Sequence, residues 1–187
     1  MEKVGAVVLT GGTARRLGGA DKAALDLGGR TMLDRVLGVV SDWPHVVVGE
    51  PVTGVPTVRE QPAGAGPAAA LLAGAEALPD DTTLVLALAV DMPHVTVPTL
   101  ERLRDAVRDD GSLDGALLVD ADGRRQYLCA AYRRARLLAV APDDRDGLPL
   151  HRLVSGLRLV EVAAVGHEAH DVDTWEDLAR ARERLDP

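Results

Sequence analysis

Along most of this chain, short unbroken apolar runs alternate with stretches in which apolar residues recur at helical spacing. Unbroken apolar runs such as 4–9 are typical of parallel strands that are buried on both faces. The stretches between them place apolar residues at helical spacing, which indicates helices with one buried face. The pattern predicts strands over 4–9, 45–49 and 83–90 and helices over 31–40, 68–78 and 97–108. Alternation of this kind favours an α/β fold.

The last third of the chain has a different pattern. Two short strands, at 115–120 and 126–132, are joined through a turn at Ala121-Asp122-Gly123 and predict a hairpin. Short helices at 133–141 and 148–155, an edge strand at 157–162 and a final helix from Thr174 to about Leu185 follow. We therefore predict one domain over 1–187: a doubly wound, mostly parallel sheet flanked by helices.

Composition and charge limit the kinds of molecule that this protein is expected to bind. The chain has 187 residues and a net charge of −8, which argues against nucleic acid as the main partner. The stretch 11–30 is locally basic, with four cationic and two acidic side chains, and favours a small anionic ligand. The lone Cys129 excludes an internal disulfide, and the longest apolar run, 84–90, is too short to cross a bilayer. We expect a soluble cytoplasmic protein, a monomer or weak oligomer, without a membrane partner.

A glycine-rich stretch with three cations follows the first predicted strand. Gly11 and Gly12 allow the backbone to approach a ligand closely, because no Cβ intervenes. Free N–H groups in such a loop form a concave site for anions. Arg15 or Arg16 can grip a phosphate with a planar fork, and Lys22 can add a mobile point charge. The stretch therefore predicts a phosphate-binding loop.

Two common phosphate-binding patterns are absent from this stretch. The G-x-x-x-x-G-K-[ST] loop does not fit, because Ala20-Asp21 precede Lys22 and Ala23 follows it. The G-x-G-x-x-G fingerprint of dinucleotide-binding folds cannot be laid over these glycines either. A nicotinamide-dependent oxidoreductase is therefore disfavoured.

Asp91 is the strongest candidate for a metal ligand. It comes directly after the apolar run 83–90, at the carboxyl end of a predicted strand. In open α/β sheets the ligand crevice lies outside the carboxyl ends of the strands, so Asp91 should face the same cleft as the glycine-rich stretch. Carboxylate oxygens are ligands that Mg²⁺ prefers. The alternative is that Asp91 only caps a turn before Pro93.

The stretch from Leu9 to Lys22 fits the signature L-[AT]-G-G-x-x-x-R-[ML]-G-G-x-D-K. In this it resembles nucleotidyltransferases of the molybdenum cofactor guanylyltransferase type. Three further segments are similar to that family: Gly66-Pro67 through Gly74, the D-x-P motif at Asp91, and [DN]-[IV]-[DN]-T-x-x-[DE]-L at 171–178. The resemblance implies a Rossmann-like nucleotidyltransferase fold that transfers GMP from GTP to molybdopterin, releases pyrophosphate and uses Mg²⁺.

The resemblance also implies roles for individual residues. Arg16, Lys22 and Asp91 are the expected catalytic residues, and the metal ligands are expected to be Asp91 and Asp173, with Asp171 as the weaker candidate for the second. Nucleotide binding is expected from Leu9, Thr10, Gly11, Gly12, Thr13, Lys22, Glu60, Gly66, Pro67 and Asp91.

Several alternatives stay open at this point. The stretch 49–51 lacks the Asn that the family commonly places near the base, and related enzymes use CTP or transfer to sugar phosphates, so base and acceptor are undecided. A nucleotide-binding paralogue without catalysis is another possibility. The run 124–126 is interpreted as solvated rather than as an acceptor contact. The five histidines are interpreted as scattered polar residues and not as a zinc site; they are His45, His94, His151, His167 and His170.

Overall fold

The computed structural model of the protein describes residues 2–11 and 18–184. Its strands and helices are, in chain order, β1 (Val4–Leu9), α1 (Met32–Val40), β2 (His45–Val48), β3 (Thr57–Val58), α2 (Pro67–Ala77), β4 (Leu84–Ala89), α3 (Val97–Asp109), β5 (Gly115–Val119), β6 (Arg125–Arg133), α4 (Arg134–Ala139), α5 (Leu150–Leu153), β7 (Leu159–Ala163) and α6 (Trp175–Glu183). Apart from β3, each of these elements begins and ends within three residues of its predicted bounds.

Seven strands form one sheet in the order β3-β2-β1-β4-β6-β5-β7. β1 pairs in parallel with both β2 and β4 at its centre. β6 is antiparallel to both of its neighbours, β4 and β5, whereas β7 runs parallel to β5 as an edge strand. The prediction of a mostly parallel, doubly wound sheet is therefore confirmed, with the predicted hairpin supplying the antiparallel strand.

The central strands are covered by helices on both faces. Val8 and Leu86 belong to the core that packs against α1 and α3. Their chain neighbours Val7 and Ala87 face the opposite core, beneath α2, α4 and α5. Because neither face meets water, the strands have no polar side, and their sequences are continuous apolar runs. At Gly74, α2 approaches so closely that a Cβ would lie 2.3 Å from Val7 Cγ1.

Helices α1 and α6 each begin directly after a threonine that caps them. The Thr31 hydroxyl accepts from the Asp34 N–H, and the Asp34 carboxylate accepts from the Thr31 N–H. Thr174 and Asp177 form the same reciprocal pair at the start of α6, with Asp in the place usually taken by Glu or Gln. Within residues 2–11 and 18–184, no helix has the length and apolar character needed to cross a membrane.

Candidate active site

The carboxyl ends of β1 and β4 lie side by side at one edge of the sheet. Leu9 is the partner of Ala89 in the parallel register, and the Val90 N–H donates to the Leu9 carbonyl at 3.0 Å. Asp91 therefore follows β4 at the point where the glycine-rich stretch follows β1. This placement agrees with the prediction from the sheet rule.

Lys22 lies between two carboxylates that come from distant parts of the chain. Its Nζ atom is 3.1 Å from Asp91 Oδ2 and 2.6 Å from Asp173 Oδ1. The Lys22 side chain is only 10% exposed, compared with 27% for Asp91 and 44% for Asp173. The Val172 N–H also donates to the Asp91 carbonyl at 2.8 Å, which fixes the approach to α6 against the end of β4. The structure thus brings together three predicted site residues.

A short 3-10 turn over Lys22–Ala24 presents the lysine. The sequence did not predict this turn as helical. The Asp21 carboxylate caps it by accepting from the Ala23 N–H at 3.0 Å. The cap fixes the backbone at the point where the lysine side chain leaves the chain, so that Nζ meets the two acids.

Charges within this cluster perturb one another. Burial acts to lower the pKa of Lys22, but its hydrogen bonds and ion pairs with Asp173 and Asp91 outweigh burial and raise it. Asp171, exposed on one side, has its pKa raised by desolvation and then by the nearby carboxylates of Asp173 and Asp91. Three carboxylates around one ammonium leave an excess of negative charge that suits a further cation.

A cavity of about 820 Å³, called the larger cavity from here on, lies beside this cluster. Its volume is within the range of small-molecule sites. Predicted nucleotide-binding residues line it from two sides: Leu9, Thr10 and Gly11 after β1, and Glu60, Gly66 and Pro67 before α2. Asp21 and Ala23 also line it, whereas Lys22 between them reaches the two carboxylates.

Local contacts shape the rim of this larger cavity. The Thr10 hydroxyl donates to the Val48 carbonyl at 3.1 Å and holds the ends of β1 and β2 together. A Cβ on Gly49, which has φ of +151°, would lie 2.0 Å from that hydroxyl oxygen, so only glycine fits there. The Glu60 carboxylate accepts from the Gly64 N–H at 2.9 Å and closes the loop before α2.

The amino terminus of α2 also lies at this cavity. Gly66 is its N-cap, with φ of +101° and no side-chain cap, and Pro67 is the first helical residue. The first turn of a helix presents unpaired N–H groups and a partial positive charge that favour phosphate. Gly11 and the start of α2 thus border the same cavity.

A smaller cavity, of about 320 Å³, lies on the other side of the approach to α6. Its lining includes Asp171 and Val172 from that approach and Arg124 and Gln126 from the hairpin of β5 and β6. Arg180 and Arg184 of the last helical segment line it as well, and so do three further acids, Asp120, Asp122 and Asp177. Sequence reasoning missed these two arginines, because helical spacing alone does not tell which cavity a polar face borders.

The hairpin arginines differ in their surroundings. Arg125 pairs with Glu161 at 2.7 Å on the exposed surface, in agreement with the solvated interpretation. Arg124 instead lines the smaller cavity. Arg124 and Gln126 turn to the opposite side from Arg125, as alternate positions near a strand do. Arg124 is nevertheless exposed, so its place beside the cavity does not contradict the solvated interpretation.

Three of the histidines cluster rather than scatter, which corrects the sequence-based interpretation. The His167 ring centroid lies 6.0 Å from that of His94 and 5.0 Å from that of His170. Arg184 Nη1 is 2.8 Å from His170 Nδ1. Burial, and then the positive charge of Arg184, lowers the pKa of His94 to about 4, so its ring is neutral near pH 7. Among the described residues, no three His, Cys, Asp or Glu side chains are arranged to hold a metal ion.

Four predicted site residues or neighbours lie outside the described residues: Gly12, Thr13, Arg15 and Arg16. Their roles stay predictions.

The donor chemistry of Asp91 and Asp173 fits Mg²⁺. This ion is usually held by one or two carboxylates together with substrate phosphates and water, rather than by a complete protein cage. Two carboxylates that converge on one cation, beside a cavity large enough for a nucleotide, meet that description.

Comparison with known proteins agrees with this geometry. Residues 6–162 match the family described as the MobA-like NTP transferase domain. A Mycobacterium ulcerans protein named probable molybdenum cofactor guanylyltransferase is 39% identical over 140 residues, which span 68% of this chain and 66% of that protein. The match thus covers just under two thirds of the relative's length.

Solved structures share the fold. Molybdopterin-guanine dinucleotide biosynthesis protein A from Archaeoglobus fulgidus superposes with a TM-score of 0.72 at 20% identity, over 97% of this chain and 98% of that one. Rv0371C from Mycobacterium tuberculosis, in its complex with manganese, gives a TM-score of 0.71 at 21% identity, over 97% and 98% of the two chains. At these identities the likeness concerns the fold alone.

Proposed function

Because this chain belongs to the MobA-like NTP transferase family, we propose that it transfers GMP from GTP to molybdopterin and releases pyrophosphate, with Mg²⁺ as the metal. The names of its relatives supply the guanine nucleotide and the acceptor in this proposal. The observation that carries the chemistry is the convergence of Lys22, Asp91 and Asp173 beside the larger cavity. A nucleotide-binding paralogue without catalysis is the alternative, and multiple turnover by the pure protein would exclude it.

The larger cavity is proposed to hold the nucleotide. Gly11 and the first turn of α2 would offer N–H groups to the phosphates, and the glycine-rich stretch after Gly11 is expected to do the same. The base and ribose would lie towards the Glu60–Gly66 side, which the resemblance assigns to the loop over the nucleotide. Cytidine and uridine triphosphates would fit the same volume, so the base is a matter for measurement.

Asp91 and Asp173 would hold Mg²⁺, which would neutralise charge on the phosphates of the bound nucleotide. The protein's own contribution is positioning and positive charge. Lys22, together with Arg16, is proposed to offset the charge that develops at the α-phosphorus. Positioning and charge stabilisation supply most of the catalysis in phosphoryl transfer, and no covalent nucleophile from the protein is required.

The smaller cavity is proposed to receive the acceptor. Arg124, Arg180 and Arg184 can bind an anionic group on a small phosphorylated molecule, although four carboxylates, those of Asp120, Asp122, Asp171 and Asp177, line the same cavity. In the reaction, a phosphate oxygen of the acceptor attacks the α-phosphorus of GTP. A new P–O bond forms, the bond to the bridging oxygen next to the β-phosphorus breaks, and pyrophosphate leaves with that electron pair. Asp171, which borders the smaller cavity, faces this acceptor rather than the nucleotide.

The first test is equilibrium binding of GTP, CTP, ATP and UTP by calorimetry, each with and without Mg²⁺. Selective binding of GTP that Mg²⁺ strengthens would support the proposal. Preference for CTP or UTP would support nucleotidyl transfer but replace GTP as the proposed nucleotide substrate. Failure to bind any of the four nucleotides would refute it.

The second test measures pyrophosphate release with GTP, Mg²⁺ and molybdopterin. Asp91→Ala should lower the rate by at least about a hundredfold, because it removes a metal ligand without touching the core. Asp81→Ala is the matched control, since Asp81 is exposed and pairs with Lys3 at the far end of the sheet. Normal turnover by Asp91→Ala with Mg²⁺ present would refute the metal assignment.

A further inference from the structure

The position between Asp91 and Asp173 is already filled by a cation of the protein itself. We propose that in the metal-free protein the Lys22 ammonium stands in for Mg²⁺ and must leave these carboxylates when the metal binds with the nucleotide. Metal and nucleotide would then bind cooperatively. This inference rests on the proposed function, because it assumes that the same two acids hold the metal.

The contacts of Lys22 with the two carboxylates leave little room for a metal ion beside its ammonium group. Lys22 Nζ lies 2.6 Å from one carboxylate oxygen and 3.1 Å from the other, and its side chain is almost fully enclosed. Mg²⁺ binds oxygen at about 2.1 Å, so an ion on the same Asp173 oxygen would lie within about 5 Å of Nζ. Two positive centres at that separation repel each other. The lysine must therefore move or the metal must bind weakly.

The choice of residue type supports a stand-in role. The chain has 19 arginines but only two lysines, Lys3 and Lys22. A lysine ammonium is a compact point charge on a flexible stem, whereas an arginine presents a wide planar fork. The compact cation can lie between two acids as a metal ion does and then swing away on its stem.

A released Lys22 needs a new anionic partner. Asp21 and Ala23, on either side of it, already line the larger cavity, so a change of side-chain rotamer would bring the ammonium towards bound phosphates. Without nucleotide, the displaced charge would have no such partner, and the metal alone should bind weakly. With nucleotide, the two ligands should strengthen each other equally, because coupling between sites is reciprocal.

The direct experiment is manganese binding followed by electron paramagnetic resonance of the free ion, without nucleotide. Lys22→Met should bind Mn²⁺ about tenfold more tightly than the unmodified protein, within the usual range of coupling. Lys3→Met, whose lysine is exposed and pairs with Asp81, should bind as the unmodified protein does. Equal or weaker binding by Lys22→Met would overturn the inference. If Lys22→Met does not fold, Lys22→Gln replaces it.

A second readout follows the ammonium itself. In protein labelled with ¹⁵N only at lysine, two Nζ signals are expected, and Lys3 is the internal control. Saturating Mg²⁺ without nucleotide should shift the Lys22 signal and leave that of Lys3 in place. An unchanged Lys22 signal in protein that carries the metal would contradict displacement.

Failure of this inference and failure of the proposed function give different results. If no nucleotide binds to the unmodified protein, the proposed function fails whatever the lysine does. If GTP binds with Mg²⁺ but Lys22→Met gains no metal affinity, only the displacement of Lys22 is refuted. The double variant Lys22→Met, Asp173→Asn should lose the gain in affinity, because it removes one of the two shared acids.

Discussion

Glu168 anchors the segment that leads to the candidate metal ligands, and its removal should cost stability. Its carboxylate accepts from Thr99 Oγ1 at 2.6 Å, from Arg102 Nη2 at 2.6 Å and from the Val165 N–H at 2.8 Å. The Glu168 side chain is 9% exposed, whereas Arg102 is 35% exposed. These bonds tie the chain between β7 and α6 to the start of α3.

The burial of this ion pair determines how much free energy of unfolding Glu168→Ala should lose. Breaking a buried ion pair costs about 3 to 5 kcal/mol. Because the Arg102 guanidinium can turn towards water after the change, we expect about 2 to 4 kcal/mol. Glu168→Gln keeps the shape and some hydrogen bonds, so its cost should be smaller.

The Glu168 contribution should depend on pH in one direction. Burial acts to raise the pKa of Glu168, but the bonds from Arg102, Thr99 and Val165 outweigh it and hold the pKa below the ordinary glutamate value of 4.5. A carboxylate with a lowered folded-state pKa contributes stability above its unfolded pKa and loses it as pH falls through the folded value. The difference in free energy of unfolding between the unmodified protein and Glu168→Ala should therefore be largest at pH 7 and decrease below about pH 4.5.

Urea unfolding at pH 7 measures this change in the free energy of unfolding. Glu161→Ala is the matched control, since Glu161 pairs with Arg125 at the surface and both side chains are about half exposed. It should cost no more than about 1 kcal/mol. A Glu168→Ala variant within 1 kcal/mol of the unmodified protein, or no more affected than Glu161→Ala, would refute the anchoring role.

Three further predictions concern packing, capping and reactivity. Gly74→Ala should lower the free energy of unfolding by about 1 to 3 kcal/mol, because its Cβ meets Val7, whereas Gly111→Ala, in open space, should not destabilise through a clash. Thr174→Ala should cost about 1 kcal/mol in the same urea assay by removing the cap of α6. Burial raises the pKa of the Cys129 thiol to about 12, so a thiol reagent should modify it at pH 8 only after unfolding; rapid modification of folded protein would contradict this.

Local signals in the chain were sufficient for most of the elements and for the position of one candidate metal ligand. Apolar runs without alternation identified the central strands because both faces of β1 and β4 are covered. Thr31 and Thr174 marked helix starts because a cap acts within three residues of its own position. Asp91 could be assigned to the cleft, since the sheet rule links the carboxyl end of any such strand to the ligand crevice.

Contacts between distant segments were decided only by the fold. Lys22 and Asp173 are 151 residues apart, yet they lie 2.6 Å from each other. His94 joins His167 in the same way, and Arg124 reaches the smaller cavity although Arg125 beside it does not. Periodicity and capping describe interactions along the chain, within a turn or a strand. Which side chains meet across the sheet edge depends on the strand order and on the packing of α6, which no local pattern encodes.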